Sequence, residues 1–598
     1  MPPNDLRIIP TTRARRRSGG IARPSAARAA AVALGLACLA ALPAPLSAQA
    51  VLGGGDDATV LRRGRARLRI GGVLETASER FGGRGGLRDQ REPLGADASF
   101  DSLGVGFLPT FLQPLQDTLR VLTGTPGYVA SLGQLRTDVR TDVQTIPFSA
   151  EYGVLDRLTV SILVPYVRTR STVNPIVNPT GTEGTLGFNP ATALGGTSAS
   201  AALQRNGQVA QQLSAAGAEL GALATACAAP APTDPRCTNF PAASATALVR
   251  EAAALRSRIA YVYGTGTAGS GRPFVPIAGT APQRAVEAQV AALAQRFRTF
   301  QITSLAATTT PAGATSRLGV GGVQTILTDE GFGIAGDSLR GGLQSGSGDI
   351  ELAATVQWLD TFHGDERARL APRGLQLRSA ITAGYRFGTG SGDFPFIWFD
   401  VPTGTGVDAF LVRSATDIVF GRRLWASAIV RVIQPRPDQP ILRIPTTADE
   451  LFVPAYREAQ IDRTLGRELQ LELNPRLVLS DNFSLWGHYQ MRRKAADENR
   501  GTFELPAEGD QPAVTIDASV LDLESEAREQ RAGLGVTYST LAAYTRGKAS
   551  LPLEVSWLYR RTLAGEGGQV LRAASQQVMV RAYLRLLGDR TRNVTGVR

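Results

Sequence analysis

Histidine is almost missing from this chain: His363 and His488 are the only two in 598 residues. So few imidazoles leave little general-base capacity near neutral pH and a thin supply of zinc ligands. Ser484 stands four residues before His488, about 13 Å along an extended strand, which is beyond hydrogen-bond reach. A hydrolase reading therefore lacks its geometry, and no catalytic residue, metal site or cofactor is expected. Cysteine is scarce as well, with three residues. Cys38 falls in an N-terminal apolar run, which leaves Cys227 and Cys237. In an oxidising compartment, a pair this close in sequence reads as a disulfide closing a small loop.

Long apolar runs are missing too. Past residue 50 none reaches the roughly 18 residues that a membrane helix needs. Phosphate-binding loops are absent, since Gly547-Lys548 is followed by Ala549. The Gly264-Thr-Gly266-Thr-Ala-Gly269 and Gly331-Phe-Gly333-Ile-Ala-Gly336 runs have dinucleotide-loop spacing. Neither opens a helix inside a strand–helix–strand unit, so both read as flexible loops. The formal charge of +12 looks basic, but residues 1–50 carry seven arginines and one aspartate, which is half of that surplus. No nucleic-acid partner is expected.

Those first fifty residues read as an export signal. Arg13, Arg15, Arg16, Arg17, Arg23 and Arg28 form a basic region, Ala29 to Leu42 is a short apolar run, and Ala48-Gln49-Ala50 supplies the small residues of a cleavage site.

What the remainder has in quantity is period-two alternation in segments of barrel-strand length. Ile350, Leu352, Ala354, Val356 and Trp358 alternate with Glu351, Ala353, Thr355 and Gln357. Leu375, Leu377, Ile381, Ala383, Tyr385 and Phe387 alternate with polar residues that include Arg378 and Arg386. Unpaired arginines could not be buried in a sandwich core. On a wet inner face, opposite a lipid-facing row, they are comfortable. The same parity places Arg431, Glu472, Arg560 and Arg581 on the inner face, so these six residues are the expected lumen lining. The fold expected is an all-β transmembrane antiparallel barrel of about twelve strands. Their predicted spans are 61–79, 133–152, 158–171, 348–361, 374–387, 408–420, 423–433, 467–480, 483–494, 524–538, 549–562 and 573–587.

Connection lengths support this. Alternate connections are short (153–157, 362–373, 421–422, 481–482, 539–548), and those between them tend to be long, with 563–572 the exception. Barrels of the outer membrane pair short periplasmic turns with longer outer loops. The expected division is a signal peptide at 1–50, first strands at 51–171 with an outer loop at 80–132, a helical extracellular insertion at 172–347, remaining strands at 348–588, and a tail at 589–598. Helices are predicted near 107–122, 199–226, 243–261 and 283–306. Leu248, Ala252, Leu255 and Ile259 share one helix face; Val286, Val290, Leu293 and Phe297 share another. Trp358, Trp398, Trp425 and Trp557 lie near strand ends, as interfacial girdle residues would. The acidic residues Glu504, Glu508, Asp510, Asp517, Asp522, Glu524 and Glu526 read as a solvated loop, with no calcium-loop spacing.

Several runs carry a family resemblance: Pro147-Phe-Ser-Ala-Glu-Tyr-Gly-Val-Leu-Asp-Arg-Leu158, Gly348-Asp-Ile-Glu-Leu352, Phe387-Gly-Thr-Gly-Ser-Gly-Asp-Phe394, and Gly404-Thr-Gly-Val-Asp408 leading to Phe420-Gly-Arg-Arg423. With them the chain resembles the phenol MetA-pathway family of outer-membrane transporters over 133–171 and 346–590. The resemblance implies a non-enzymatic channel in the cell outer membrane that admits small hydrophobic or aromatic solutes. Its partners would be outer-membrane lipids, the solute and the barrel-assembly machinery. The helical insertion departs from the family pattern, and it carries the alternative function of surface display or interaction. A terminal aromatic strand is also lacking, and Tyr583 is expected to stand in its place.

Overall fold

The computed structural model describes residues 56–585, apart from 83–89, 193–196, 266–269, 363–371, 393–397, 400, 448–449, 506–512, 524 and 568–569. Twelve antiparallel strands form its frame. They are β1 (Arg65–Ala77), β2 (Leu135–Leu155), β3 (Leu158–Val177), β4 (Ile350–Asp360), β5 (Leu375–Phe387), β6 (Ala409–Phe420), β7 (Leu424–Pro435), β8 (Glu468–Val478), β9 (Phe483–Lys494), β10 (Ala527–Ser539), β11 (Leu553–Glu566) and β12 (Ala574–Arg585). Each bonds to its neighbours in sequence. The last bonds to the first, from Arg65↔Arg585 to Thr76↔Ala574, and that ladder closes the cylinder.

Closure follows from what the outer face presents. Ile70, Phe148, Val356, Trp358, Phe410, Phe420, Leu534 and Trp557 are all exposed on it, Phe420 by 63% and Leu534 by 72%. A continuous apolar girdle of this kind is far larger than a water-soluble monomer displays, and in hydrocarbon any open sheet edge would leave unpaired backbone groups. The chain is a transmembrane β-barrel of the outer-membrane type.

Strands β2 and β3 are 21 and 20 residues long, whereas crossing a bilayer takes about ten. The surplus lies at their loop ends. There the outward positions change from Ile146 and Phe148 to Arg136, Asp138, Arg140 and Asp142, which form the exposed ion pairs Arg136–Asp138 and Arg140–Asp142. This charged stretch is thus the outer face above the lipid.

Trp486 and His488 on β9, which pairs with β10, are inward residues and buried. One irregularity sits beside them. Asn474/His488 and Pro475/Gly487 are skipped in the β8–β9 ladder, where Pro475 has no N–H to donate.

At the loop end sits a helical cap. It contains α1 (Pro109–Thr123), α2 (Thr197–Cys227), α3 (Ala242–Tyr263), α4 (Ala281–Arg298) and α5 (Val320–Thr328). Leu112, Leu115 and Leu119 of α1 share one apolar core with Leu220, Leu255, Ile259, Val290, Phe297 and Ile326, and Phe452 joins from the loop between β7 and β8. The predicted faces of α3 and α4 are the buried ones. Helix α4 ends at Arg298, not near 306, since Gln301 turns to φ 61°. Helix α5 went unpredicted because Gly321 and Gly322 in its first turns erase the apolar period. Cys227 and Cys237 lie within bonding distance, Cα to Cα 4.9 Å, between α2 and α3.

Candidate functional site: the barrel interior and its turn-side mouth

The inner face is built from ion pairs. Alternation forces every second side chain inward, and a buried guanidinium is tolerable only with a charged and hydrogen-bonded partner. Arg386 on β5 reaches Glu351 of β4 at 2.7 Å, with both side chains under a tenth exposed. Arg378 meets Asp417 at 2.5 Å and lies over the rings of Phe362 and Trp425. Arg531 bridges Glu529 at 2.5 Å and Glu75 at 2.7 Å. Arg492 bonds Glu468 at 3.3 Å.

A strap, Asp56–Gly64, ascends into this interior from the turn end. Asp56 is 4% exposed. It accepts from Arg69 at 2.5 Å and Arg413 at 2.7 Å, and Arg581 stands 3.7 Å away. The Ala58 N–H donates to Asp417 at 3.1 Å, the Leu61 N–H donates to the Thr159 hydroxyl at 2.9 Å, and the Gly64 N–H donates to the Gly153 carbonyl at 2.9 Å. Ala58 also packs on Ala380, Ala415 and Ile429. The strap is pinned from strands on several sides of the cylinder.

All six residues expected on the inner face point inward. Arg431, Glu472, Arg560 and Arg581 gather at mid-depth around Asp56, whose charge acts on Glu472 and Arg581. Arg560 donates to Ser575 at 2.9 Å. Arg386 stands apart near the loop end and Arg378 near the turn end. Asp56 and Asp57 were missed by the sequence reading, because they precede the first strand and carry no periodicity. The acids Glu75, Glu151, Glu351, Asp417, Glu468 and Glu529 were legible in principle, since they share the inward parity of the arginines they pair with.

Other expectations need correction. Trp398 is no girdle residue: it packs against Phe452 in the cap and donates to the Asp337 carbonyl at 2.7 Å. Trp425 points inward, at the mouth. Tyr583 points inward too, donating to Glu554 at 2.6 Å. His488 bonds Asn474 at 2.8 Å in the wall, whereas His363, Glu508, Asp510, Glu524 and the Gly266–Gly269 run lie outside the described residues.

Of the runs that carried the family resemblance, Gly348–Leu352, Phe387–Gly392 and Gly404–Asp408 meet at the loop end, whereas Pro147–Leu158 and Phe420–Arg423 make the short β2–β3 and β6–β7 turns. Asp349 accepts from the N–H groups of Gly390 at 2.9 Å and Thr405 at 2.8 Å. A Cβ on Gly404 would come within 2.5 Å of its carboxylate, which is why glycine stands there. Asp408 accepts from the Gly388 N–H at 2.9 Å and Tyr385 at 2.7 Å, and the Gly388 bond chiefly holds it below the usual carboxylate range. These contacts staple two loops to strand ends, and the same runs place Glu351 and Glu151 on the inner face, paired with Arg386 and with Arg67 and Arg69.

At the opposite end a cavity of about 660 Å³ opens between the strap and the short turns. Phe362, Trp425, Leu541 and Tyr544 give it apolar walls, and Arg62, Arg423 and Arg476 stand among them. The short helix α6 (Leu541–Thr545), in the turn between β10 and β11, forms part of its rim.

No family model matches the chain, and no curated protein matches it. Among solved structures it is similar to an outer membrane channel from Pseudomonas putida F1, with 8% identity, TM-score 0.37, 88% of this chain and 98% of that one covered. It is also similar to a Pseudomonas aeruginosa FadL homologue (9% identity, TM-score 0.23, 88% and 90% covered) and to the P. putida toluene transporter TodX (8%, 0.23, 87% and 90%).

Proposed function

We propose that the protein is an outer-membrane channel for passive movement of small hydrophobic or aromatic solutes, with its cap outside the cell and its short turns in the periplasm. The observation that carries this reading is a charged inner face enclosed by a lipid-facing wall, with a pinned strap lying across it. Permanent anchors need no such interior; a wall of apolar residues would be at least as stable, because burying ion pairs brings little net stability. The aromatic vestibule and the residues resembling the phenol MetA-pathway family support the solute class. Arg378, Arg386, Arg431, Glu472, Arg560 and Arg581 would line the passage, and the strap holds it shut. Assembly by the barrel-assembly machinery belongs to the same reading.

The strap makes the reading testable. Asp56→Asn removes the charge held by Arg69, Arg413 and Arg581 and so loosens the strap. In planar bilayers the variant is expected to conduct more, or open more often, than the parent chain. Silence from both chains, each folded, would contradict a channel. A second reading, surface display, draws on the cap's own apolar core, which no barrel needs. A partner that binds the cap without changing solute uptake would favour it.

A further inference from the structure

We propose that the turn-side cavity is a binding site for small amphiphilic organic anions, a flat apolar body carrying one carboxylate, with Arg476 as the anchor of the head group. This rests on the channel reading for its biological role but not for its evidence.

Charge balance is the first argument. Seven arginines and three carboxylates line the cavity, an excess of cations that invites an anion. Most inward arginines elsewhere in the barrel are matched by acids. Within the cavity, Arg378 is taken by Asp417 and by two aromatic faces. Arg476 is different. It lies directly across the ladder from Trp425 on β7 and from Trp486 on β9, and among the described residues no carboxylate lies within ion-pair distance of it.

Unused donors are the second argument. The indole nitrogens of Trp425 and Trp486 are buried without a hydrogen-bond acceptor, and so is the Thr537 hydroxyl. Trp486 is 3% exposed and Thr537 5%. Buried donors are rarely left unmatched in a native fold. The space is shaped for it: a Cβ on Gly535 would stand 2.4 Å from the Trp486 indole, so glycine there admits the ring beside Arg476. The Trp425 indole, the Thr537 hydroxyl and the Arg476 guanidinium all line this cavity, where a carboxylate could take a bidentate bond from Arg476. Phe362, Leu541 and Tyr544 offer the apolar body its walls, and the volume falls in the usual range for small-ligand sites.

The test uses the full mature chain, folded in zwitterionic detergent, with tryptophan fluorescence as readout. Benzoate should bind saturably, roughly tenfold more tightly than benzyl alcohol, as a charge-assisted bond implies. Arg476→Gln should lose about that factor, whereas Arg476→Lys should keep part of it, with heat-modifiable migration confirming that both barrels are folded. Equal affinity for benzyl alcohol, or a folded Arg476→Gln chain that binds benzoate unchanged, would overturn the proposal. So would full competition by inorganic phosphate, which would mean a bare anion site, or by phosphatidylglycerol in mixed micelles, which would mean a lipid head-group site. Because the readout is binding and not current, failure here leaves the channel reading standing, and a silent bilayer leaves this one standing.

Discussion

Glu351 and Arg386 face each other across β4 and β5, and each is buried. Such a pair contributes little net stability, because both groups give up water to form it, yet losing one partner strands the other. Arg386→Ala should therefore destabilise the barrel by about 3–5 kcal/mol, whereas replacing both residues with Gln and Met should cost much less. Urea unfolding followed by the heat-modifiable band measures both. Equal losses for the single and double variants would show that the inner face is not organised by pairing. The sequence announced Arg386 by parity alone and was silent about Asp56, because a residue ahead of the first strand has no period to betray its direction. Trp425 and Trp398 were misassigned for a related reason. Nearness to a strand end does not tell which face a tryptophan takes, and Trp425 follows the inward parity of Ser427 and Arg431.

Strands and cap helices differ in how they hold together. A strand edge is satisfied by its neighbour, so spans, order and closure were readable from alternation and from turn lengths. The predicted ends fall within a few residues of those found, the largest misfit being β3, which runs on to Val177. The cap is instead one apolar core assembled from distant segments. Helix α1 lies against α3 and α4 from beyond β2 and β3, a contact that no local pattern encodes. Its polar weak points are two phenols. Burial pushes Tyr128 up to about 12, and burial likewise raises Tyr263, which is fully enclosed and donates to Gln283 at 2.8 Å. Both groups keep their protons longer when folded than when unfolded. Their contribution is thus fully present below about pH 10, the ordinary tyrosine value, and is lost as pH rises toward 12. The helical circular dichroism of the cap should fall over that interval while the strand signal persists. Helix and strand signals that fade together, or a cap stable past pH 12, would contradict this account.

At the scale of the molecule, three parts meet along one axis. A cap covers the loop end, paired charges fill the inner face, and an aromatic, arginine-rich vestibule opens at the turn end. All of them presuppose that the cylinder stands in a bilayer with every second side chain against hydrocarbon. Strand β6 offers the cleanest place to ask, because Phe410, Val412, Ser414, Ile418 and Phe420 are exposed while Leu411, Ala415, Asp417 and Val419 between them are buried. Nitroxides placed one at a time from 410 to 420 in liposome-reconstituted protein can be probed with oxygen, which partitions into lipid, and with a water-soluble nickel chelate. Oxygen accessibility should rise at each even position and drop at each odd one, with the nickel reagent excluded from the even positions in the middle of the strand. A flat profile, or even-numbered labels open to the nickel reagent, would contradict the barrel's place in the membrane.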